Sequence, residues 1–106
     1  MTARARYDDI ADDLAARDPS IELGQMMGMP CIKAGGKMII GYESSGEMVF
    51  KLPDPKEHEK ALGLDGAKLF DPSGKGRPFK EWVQVPAAHE SEWPDLAHTA
   101  IRLRAG

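Results

Sequence analysis

The residue types best suited to chemistry in this chain are one cysteine and three histidines. A single cysteine excludes an internal disulfide. Cys31 lies in the apolar stretch Met29-Pro30-Cys31-Ile32, where no histidine or basic residue stands beside it to activate the thiol. The sequence therefore predicts a buried thiol that packs as a small hydrophobic side chain, not a nucleophile.

The histidines do not have the spacing of a metal site. His58 lies between two glutamates, and adjacent positions on a helix point to different sides. His89 and His98 stand on either side of a predicted helix start. The sequence contains no zinc-ligand spacing, nucleophile elbow, G-x-G-x-x-G or P-loop pattern. It therefore predicts no metal, no cofactor and no enzymatic activity.

A basic glycine-rich loop is the strongest candidate for contact with a ligand. Gly74-Lys75-Gly76-Arg77 carries glycines that let backbone N–H groups approach an anion, and basic side chains that would attract it. The predicted interaction residues of this region are Lys68, Lys75, Arg77 and Lys80. The alternative is a plain hairpin-like connection whose glycines only permit the turn.

The overall charge argues against duplex DNA as a partner. The chain has 106 residues, with 14 Lys and Arg against 17 Asp and Glu, a net charge of −3. A duplex-binding domain normally presents a net basic face. A hydrophobic content of 42% is that of an ordinary folded protein, and the length predicts a single domain over residues 1–106. No signal segment or membrane-length apolar run occurs, so we expect a cytoplasmic protein.

Hydrophobic periodicity predicts the first half of the fold. A helix over residues 4–17 is followed by three strands and two tight turns over residues 21–52, with the first turn at Gly35-Gly36. Two alternating sets are expected to point to one face of the sheet: Met38, Ile40 and Tyr42, then Met48, Phe50 and Leu52. Asp54 and Pro55 begin a short helix, and Gly63 is expected to end it in the left-handed conformation.

The second half is predicted to contain two strands, 67–70 and 79–85, and a last helix that begins near Ser91 or Pro94. The apolar face of that helix comprises Trp93, Leu96, Ala97, Ala100, Ile101 and Leu103. Strands joined by tight turns indicate an antiparallel sheet, and we expect the helices to pack on one of its faces. The fold class is then α+β, as a two-layer sandwich.

The aromatic and methionine residues have two interpretations. At least one of Trp82 and Trp93 is expected in the core. Met26, Met27 and Met29 form a cluster of the kind found at adaptable interfaces. Apolar runs in strands are usually buried, however, so core packing is the expectation for these methionines.

A series of short motifs is spread over the chain from about Tyr7 to Leu103. The motifs are Gly28-x-Pro30 with Ile32, Gly35-Gly36-Lys37, Val49-Phe50-Lys51-Leu52-Pro53, Phe70-Asp71-Pro72, Gly76-Arg77-Pro78-x-Lys80-Glu81-Trp82-Val83-x-Val85-Pro86, and Trp93-Pro94. In them the chain resembles the TfoX/Sxy N-terminal-domain family, whose wider relatives include YjbR/MmcQ-type proteins. The resemblance implies a secretion-chaperone-like sandwich of order α-β-β-β-α-β-β-α. Proteins of that fold often form dimers and bind other proteins, and the family supplies no catalytic residues.

Three functions stand as hypotheses. The first is a non-enzymatic cytoplasmic interaction module that binds an unidentified protein or a second copy of itself. One version of this hypothesis is an accessory role in transcription regulation. The second is direct DNA binding through the basic segment 68–80. The third is the binding of an anionic small ligand.

Overall fold

Over the residues that the computed structural model describes, 2–26, 28–72, 74–76 and 78–104, the chain forms a six-stranded antiparallel sheet and three α-helices. The elements in chain order are α1 (Ala3–Arg17), β1 (Ile21–Met26), β2 (Met29–Ala34), β3 (Lys37–Glu43), β4 (Glu47–Lys51), α2 (Pro55–Leu62), β5 (Lys68–Phe70), β6 (Phe79–Val85), a 3-10 helix (Ala87–Glu92) and α3 (Trp93–Leu103). The strands lie in the order β1-β2-β3-β4-β6-β5. The predicted α+β class with an antiparallel sheet is confirmed.

The region between α1 and α2 contains four strands, one more than the three that the sequence predicts. Its first part folds into an additional hairpin, in which Met26 pairs with Met29 and Gly28 adopts a φ of +77°. The predicted turn at Gly35-Gly36 is confirmed, with φ values of +61° and +78° that favour glycine. The additional turn lies within a run of methionines, without the polar residues that usually indicate a turn in a sequence.

Helix α2 begins as the sequence predicts and ends differently. The Asp54 carboxylate accepts a hydrogen bond from the Glu57 N–H at 3.2 Å, which satisfies an N–H of the first turn. Gly63 has a φ of −75°, so the prediction of a left-handed end is wrong. The left-handed residue comes three positions later, at Gly66, whose φ is +86°.

The core lies between the helices and one face of the sheet. Ile32, Ile40, Phe50 and Val83 follow one another across β2, β3, β4 and β6, and each is fully buried. The buried helix residues that pack with them are Tyr7, Ile10, Ala11 and Leu14 of α1, Ala61 of α2, and Trp93, Ala97 and Ala100 of α3. The predicted apolar face of the last helix is therefore confirmed, and Trp93 is the predicted core tryptophan.

Candidate functional site

The second face of the sheet is composed differently from the core face. Cys31, Gly41, Val49 and Gln84 follow one another across β2, β3, β4 and β6, one row along from the core residues. Because side chains alternate along a strand, this row points away from the core. As far as the structure describes it, the cluster that contains the helix residues includes none of the four. We call the surface built on this row the open face.

Two methionines cover the middle of the open face. A Cβ atom placed on Gly41 would lie 2.8 Å from the Cε atoms of both Met29 and Met38, and 3.0 Å from Cγ2 of Val49. The two methionine side chains therefore lie across the glycine. The exposed fractions of Cys31 and Val49 are 1% and 0%, although neither belongs to the core cluster described for the helices.

A β-bulge brings Met38 to this face. Ile40 pairs with Ile32, but the next pair is Met38 with Lys33, which leaves Ile39 as an extra residue in β3. Ile39 and Ile40 are both buried in the core cluster. The prediction that Met38 shares a face with Ile40 is therefore wrong, because the bulge shifts the alternation by one residue.

The methionine cluster is only partly buried. Met26 is 37% exposed at the end of β1, so the expectation of core packing is wrong for it. Met29 is partly buried on the open face. Met27 lies outside the described residues. The methionines therefore contribute to the surface of the sheet opposite the core.

Charged residues divide the open face into two ends. The lysines of this face are Lys33, Lys51, Lys68 and Lys80, and the acids are Glu22, Glu43 and Glu47. Lys51 pairs with Trp82, and Lys80 precedes Trp82 by two positions in the same strand. Glu43 pairs with Glu47 at the other end, where Glu47 accepts a hydrogen bond from the Gln84 side chain. Lys51, Lys80 and Trp82 thus lie toward one end. Glu43 and Glu47 lie toward the other, where Lys68 pairs with Gln84 and lines a cleft with both glutamates.

An aromatic group extends the end that holds Trp82. The Phe70 ring lies 6.1 Å from the Trp82 ring and 5.8 Å from the Phe79 ring, measured between centroids. Phe70 is buried, Trp82 is half-buried, and Phe79 is 46% exposed. Trp82 therefore supplies a partly exposed aromatic ring to the open face, packed against the buried Phe70 ring.

The predicted interaction residues are only partly brought together. Lys68 and Lys80 are exposed on the open face, and Lys75 is exposed in the β5–β6 loop. Arg77 lies outside the described residues. Sequence reasoning missed Lys33 and Lys51, which join Lys68 and Lys80 on this face. Their alternation with buried neighbours in β2 and β4 is the signal that could have found them.

The glycine-rich loop is organised around an acid of its own. The Asp71 carboxylate accepts hydrogen bonds from the backbone N–H of Gly74 at 3.1 Å and of Gly76 at 2.9 Å. Such N–H groups are the ones that the sequence offers as candidates to contact an external anion, and here they donate to a carboxylate of the same loop. An Asp-Pro-x-Gly sequence is typical of such a turn, since a short carboxylate readily accepts from nearby backbone groups.

The nucleophile candidate is shielded. Burial raises the pKa of the Cys31 thiol, and nearby Lys33 lowers it by less. The predicted burial of this side chain is confirmed. His89 Nε2 lies 2.7 Å from the Asp65 carbonyl oxygen, while His98 is exposed. Within the described ranges no three His, Cys, Asp or Glu side chains are grouped so that they could hold a metal ion.

A cleft of about 550 Å³ between α3 and one end of the sheet is lined by residues that include Lys37, Arg104 and Lys51, which stands at the margin of the open face. Arg104 is already paired, since its guanidinium donates to the Asp18 carboxylate at 2.8 Å. The Ser20 hydroxyl donates to the same carboxylate at 2.7 Å. The hydrogen bonds from Ser20 and Arg104 lower the pKa of Asp18 from 3.8 to about 2. This carboxylate therefore neutralises part of the basic lining that an anionic ligand would need.

Comparison with known proteins gives no match, whether to a family model, a curated protein or a solved structure. Among the described parts of the chain, no helix has the length and apolar character needed to cross a membrane. The resemblance to the TfoX/Sxy N-terminal-domain family remains a prediction from sequence motifs. The argument for function therefore depends on the geometry of the open face.

Proposed function

We propose that this chain is a non-enzymatic, cytoplasmic protein-interaction module that binds a partner protein on the open face of its sheet. The partner segment carries apolar side chains flanked by carboxylates. An accessory role in transcription regulation is the form of this function that the family resemblance favours. The same resemblance makes a second copy of the chain another candidate partner.

The observation that carries the proposal is the combination of adaptable apolar side chains with lysines on one surface. Met29 and Met38 are held by contacts at their flexible ends, and methionine adapts readily to the shape of a partner. Trp82 is half-buried on the same face, in β6, and tryptophan is enriched at sites that dominate binding energy. Burial of such a surface by a partner protein is therefore more favourable in free energy than burial of a uniformly charged surface.

The lysines define the chemistry of the partner. Lys33, Lys51, Lys68 and Lys80 take part in none of the ion pairs formed among the described residues. Carboxylates on the partner would pair with them and fix its orientation, because Glu43 and Glu47 repel acids at the opposite end of the face. The shielded thiol of Cys31 favours binding over covalent chemistry at this surface.

Site-specific cross-linking in cells tests the proposal. A benzophenone amino acid at Met38 reports on the open face, and the same group at the exposed Ser91 is the control on the 3-10 helix. We expect adducts from Met38 to one polypeptide, through a segment that contains apolar residues and carboxylates, and none of that polypeptide from Ser91. Equal labelling from both positions would contradict the proposal.

Binding of the identified segment gives the quantitative test. A synthetic peptide of that segment should bind the purified chain, and Met38→Asp should weaken binding by at least about tenfold, because the carboxylate must be desolvated. Lys51→Glu should weaken it by about fivefold, while Asp9→Lys on α1 leaves it unchanged. Wild-type affinity in Met38→Asp would refute the proposal.

Nucleic acid is the alternative occupant of the same face. Lys68 and Lys80 are joined there by Lys33 and Lys51, and Trp82 could stack on a base. The three glutamates on the face and the net charge of −3 favour a protein partner. Adducts from Met38 to nucleic acid, with binding that falls steeply as salt rises, would replace the protein proposal with this one.

A further inference from the structure

Strand β1 is an unprotected edge of the sheet. Five of its six residues, Ile21–Met26, are exposed, and its pairing with β2 runs without a bulge. Leu23 is 46% exposed and Met26 37%. Natural edge strands are usually shortened, bulged, or protected by proline or lysine. The opposite edge, β5, shows three of these features, since it has three residues, an irregular register and Lys68. Strand β1 shows none of them, and its one charged side chain is Glu22.

The outward hydrogen-bonding groups of β1 can be identified from its partner strand. Gln25 pairs with Pro30, which has no N–H, so this pair is not a hydrogen-bonded one. Hydrogen-bonded and non-bonded pairs alternate along an antiparallel ladder. The N–H and C=O groups of Ile21, Leu23 and Gln25 therefore point away from β2. The outward N–H of Ile21 already donates to the Asp18 carbonyl oxygen at 3.0 Å, so its C=O and both groups of Leu23 and Gln25 are those that lie on the free side of the edge.

We infer that β1 pairs with β1 of a second copy of this chain, antiparallel and with Leu23 opposite Leu23. This arrangement goes beyond the proposed function, because it uses the sheet edge and, of the open face, involves only the margin at Glu22 and Lys33. In this register Ile21 of each copy meets Gln25 of the other. Leu23 then exchanges both of its bonds with its symmetry mate, and each Gln25 N–H donates to the Ile21 carbonyl of the other copy, which makes about four hydrogen bonds.

The neighbouring symmetric registers are less favourable. Centring the pairing on Glu22 places two carboxylates directly opposite each other, which is destabilising. Centring it on Gly24 brings together the two Lys33 side chains, each of which lies over its own Gly24, and like charges that face each other are destabilising. The register centred on Leu23 also covers that exposed side chain with its own symmetry mate.

Charge complementarity supports the same register. Glu22 of one copy lies opposite Gly24 of the other, on the open-face side of the sheet. A Cβ atom at Gly24 would be 3.8 Å from Lys33 Nζ, so the lysine side chain reaches over the glycine. Directly opposed residues have Cβ positions about 5 Å apart. The Glu22 carboxylate therefore meets the Lys33 ammonium of the other copy, and two-fold symmetry makes this contact twice.

Sedimentation of the purified chain over a range of concentrations tests the inference. We expect a reversible dimer of twice the 11.6 kDa chain mass. Leu23→Pro removes an outward N–H that β2 does not use, so the fold is retained while the dimer dissociation constant rises at least about tenfold. Leu23→Val is the matched control, because it retains both the N–H and an apolar side chain.

Charge exchange tests the register. Glu22→Lys and Lys33→Glu should each weaken the dimer, and the double variant should recover most of the affinity. A wild-type chain that stays monomeric at millimolar concentration would overturn the inference, as would a dimer indifferent to Leu23→Pro or lacking recovery in the double variant. All of these measurements use the purified chain without the cross-linked partner. A negative result here therefore refutes the dimer only, and the proposal for the open face is decided by its own cross-linking test.

Discussion

Replacing Gly41 by alanine would push a methyl group into the two methionine side chains that cover it. The new Cβ would lie 2.8 Å from both methionine Cε atoms and 3.0 Å from Cγ2 of Val49, against about 3.5–4.0 Å for optimal carbon contacts. The methionine ends can rotate away, but the β-branched Val49 is stiff. Overpacking of this kind costs about 1–3 kcal/mol.

Part of that cost is offset in the unfolded chain. Replacing glycine by alanine reduces the conformational entropy of the unfolded state, which stabilises the fold by about 0.4–1 kcal/mol where the backbone allows it. The net expectation for Gly41→Ala is a loss of about 0–2.5 kcal/mol, centred near 1 kcal/mol. Gly24→Ala is the matched control on the same face, because its Cβ would meet only the Lys33 side chain, at the ordinary distance of 3.8 Å.

Urea unfolding of both variants gives the measurement. We expect Gly24→Ala to be neutral or up to about 1 kcal/mol more stable than the wild type, and Gly41→Ala to lie at least about 1 kcal/mol below Gly24→Ala. Adding Met38→Leu to Gly41→Ala removes one of the clashing Cε atoms and should recover part of the difference, as a double-mutant cycle would detect. Equal stability of the two alanine variants, within about 0.3 kcal/mol, would refute this description of the open face.

Three further changes have defined outcomes. The stabilisation that ionised Asp18 gives, through a pKa lowered to about 2, should be complete above about pH 4 and lost as the pH falls through 2, so the stability gap between wild type and Asp18→Asn should close over that range. Asp71→Ala should speed hydrogen exchange at the Gly74 and Gly76 amides while global stability changes by less than about 1 kcal/mol. The indole N–H of Trp93 is buried and finds no acceptor among the described residues, so Trp93→Phe should cost less than about 1.5 kcal/mol, against about 3–5 kcal/mol for Trp93→Ala.

Each of these expectations has a contrary result. A gap between wild type and Asp18→Asn that persists at pH 2 would contradict the assigned hydrogen bonds. Unchanged exchange at the two glycine amides would mean that Asp71 does not hold the loop. A loss for Trp93→Phe as large as for Trp93→Ala would mean that the indole nitrogen is satisfied in solution.

Local chemistry made parts of the fold predictable. Paired glycines at Gly35-Gly36 favour the positive φ values that a tight hairpin needs, and the turn occurs there. Asp54 before Pro55 gives both an N-cap acceptor and a residue suited to the first helical turn. In each case the deciding interaction lies within a few residues of the signal, so the sequence alone is enough.

The missed features depend on partners distant in sequence or on an unusual turn composition. The bulge that turns Met38 to the open face arises from pairing with β2, and alternation within β3 cannot reveal it. The hairpin at Gly28 is flanked by methionines instead of the usual polar turn residues. Lys33 and Lys51 come to share a face with the predicted Lys68 only through the strand order. The open face could therefore not be assembled from sequence.

The strand order also has a consequence for how the chain folds. Strands β1 to β4 are sequential neighbours, so each of their pairings closes a loop of a few residues. Pairing β4 with β6 brings Lys51 to Trp82 across α2 and β5, and the entropic cost of closing a loop grows with its length. The meander can therefore form early, and the arrival of β6 is the costly step that joins the two halves of the chain.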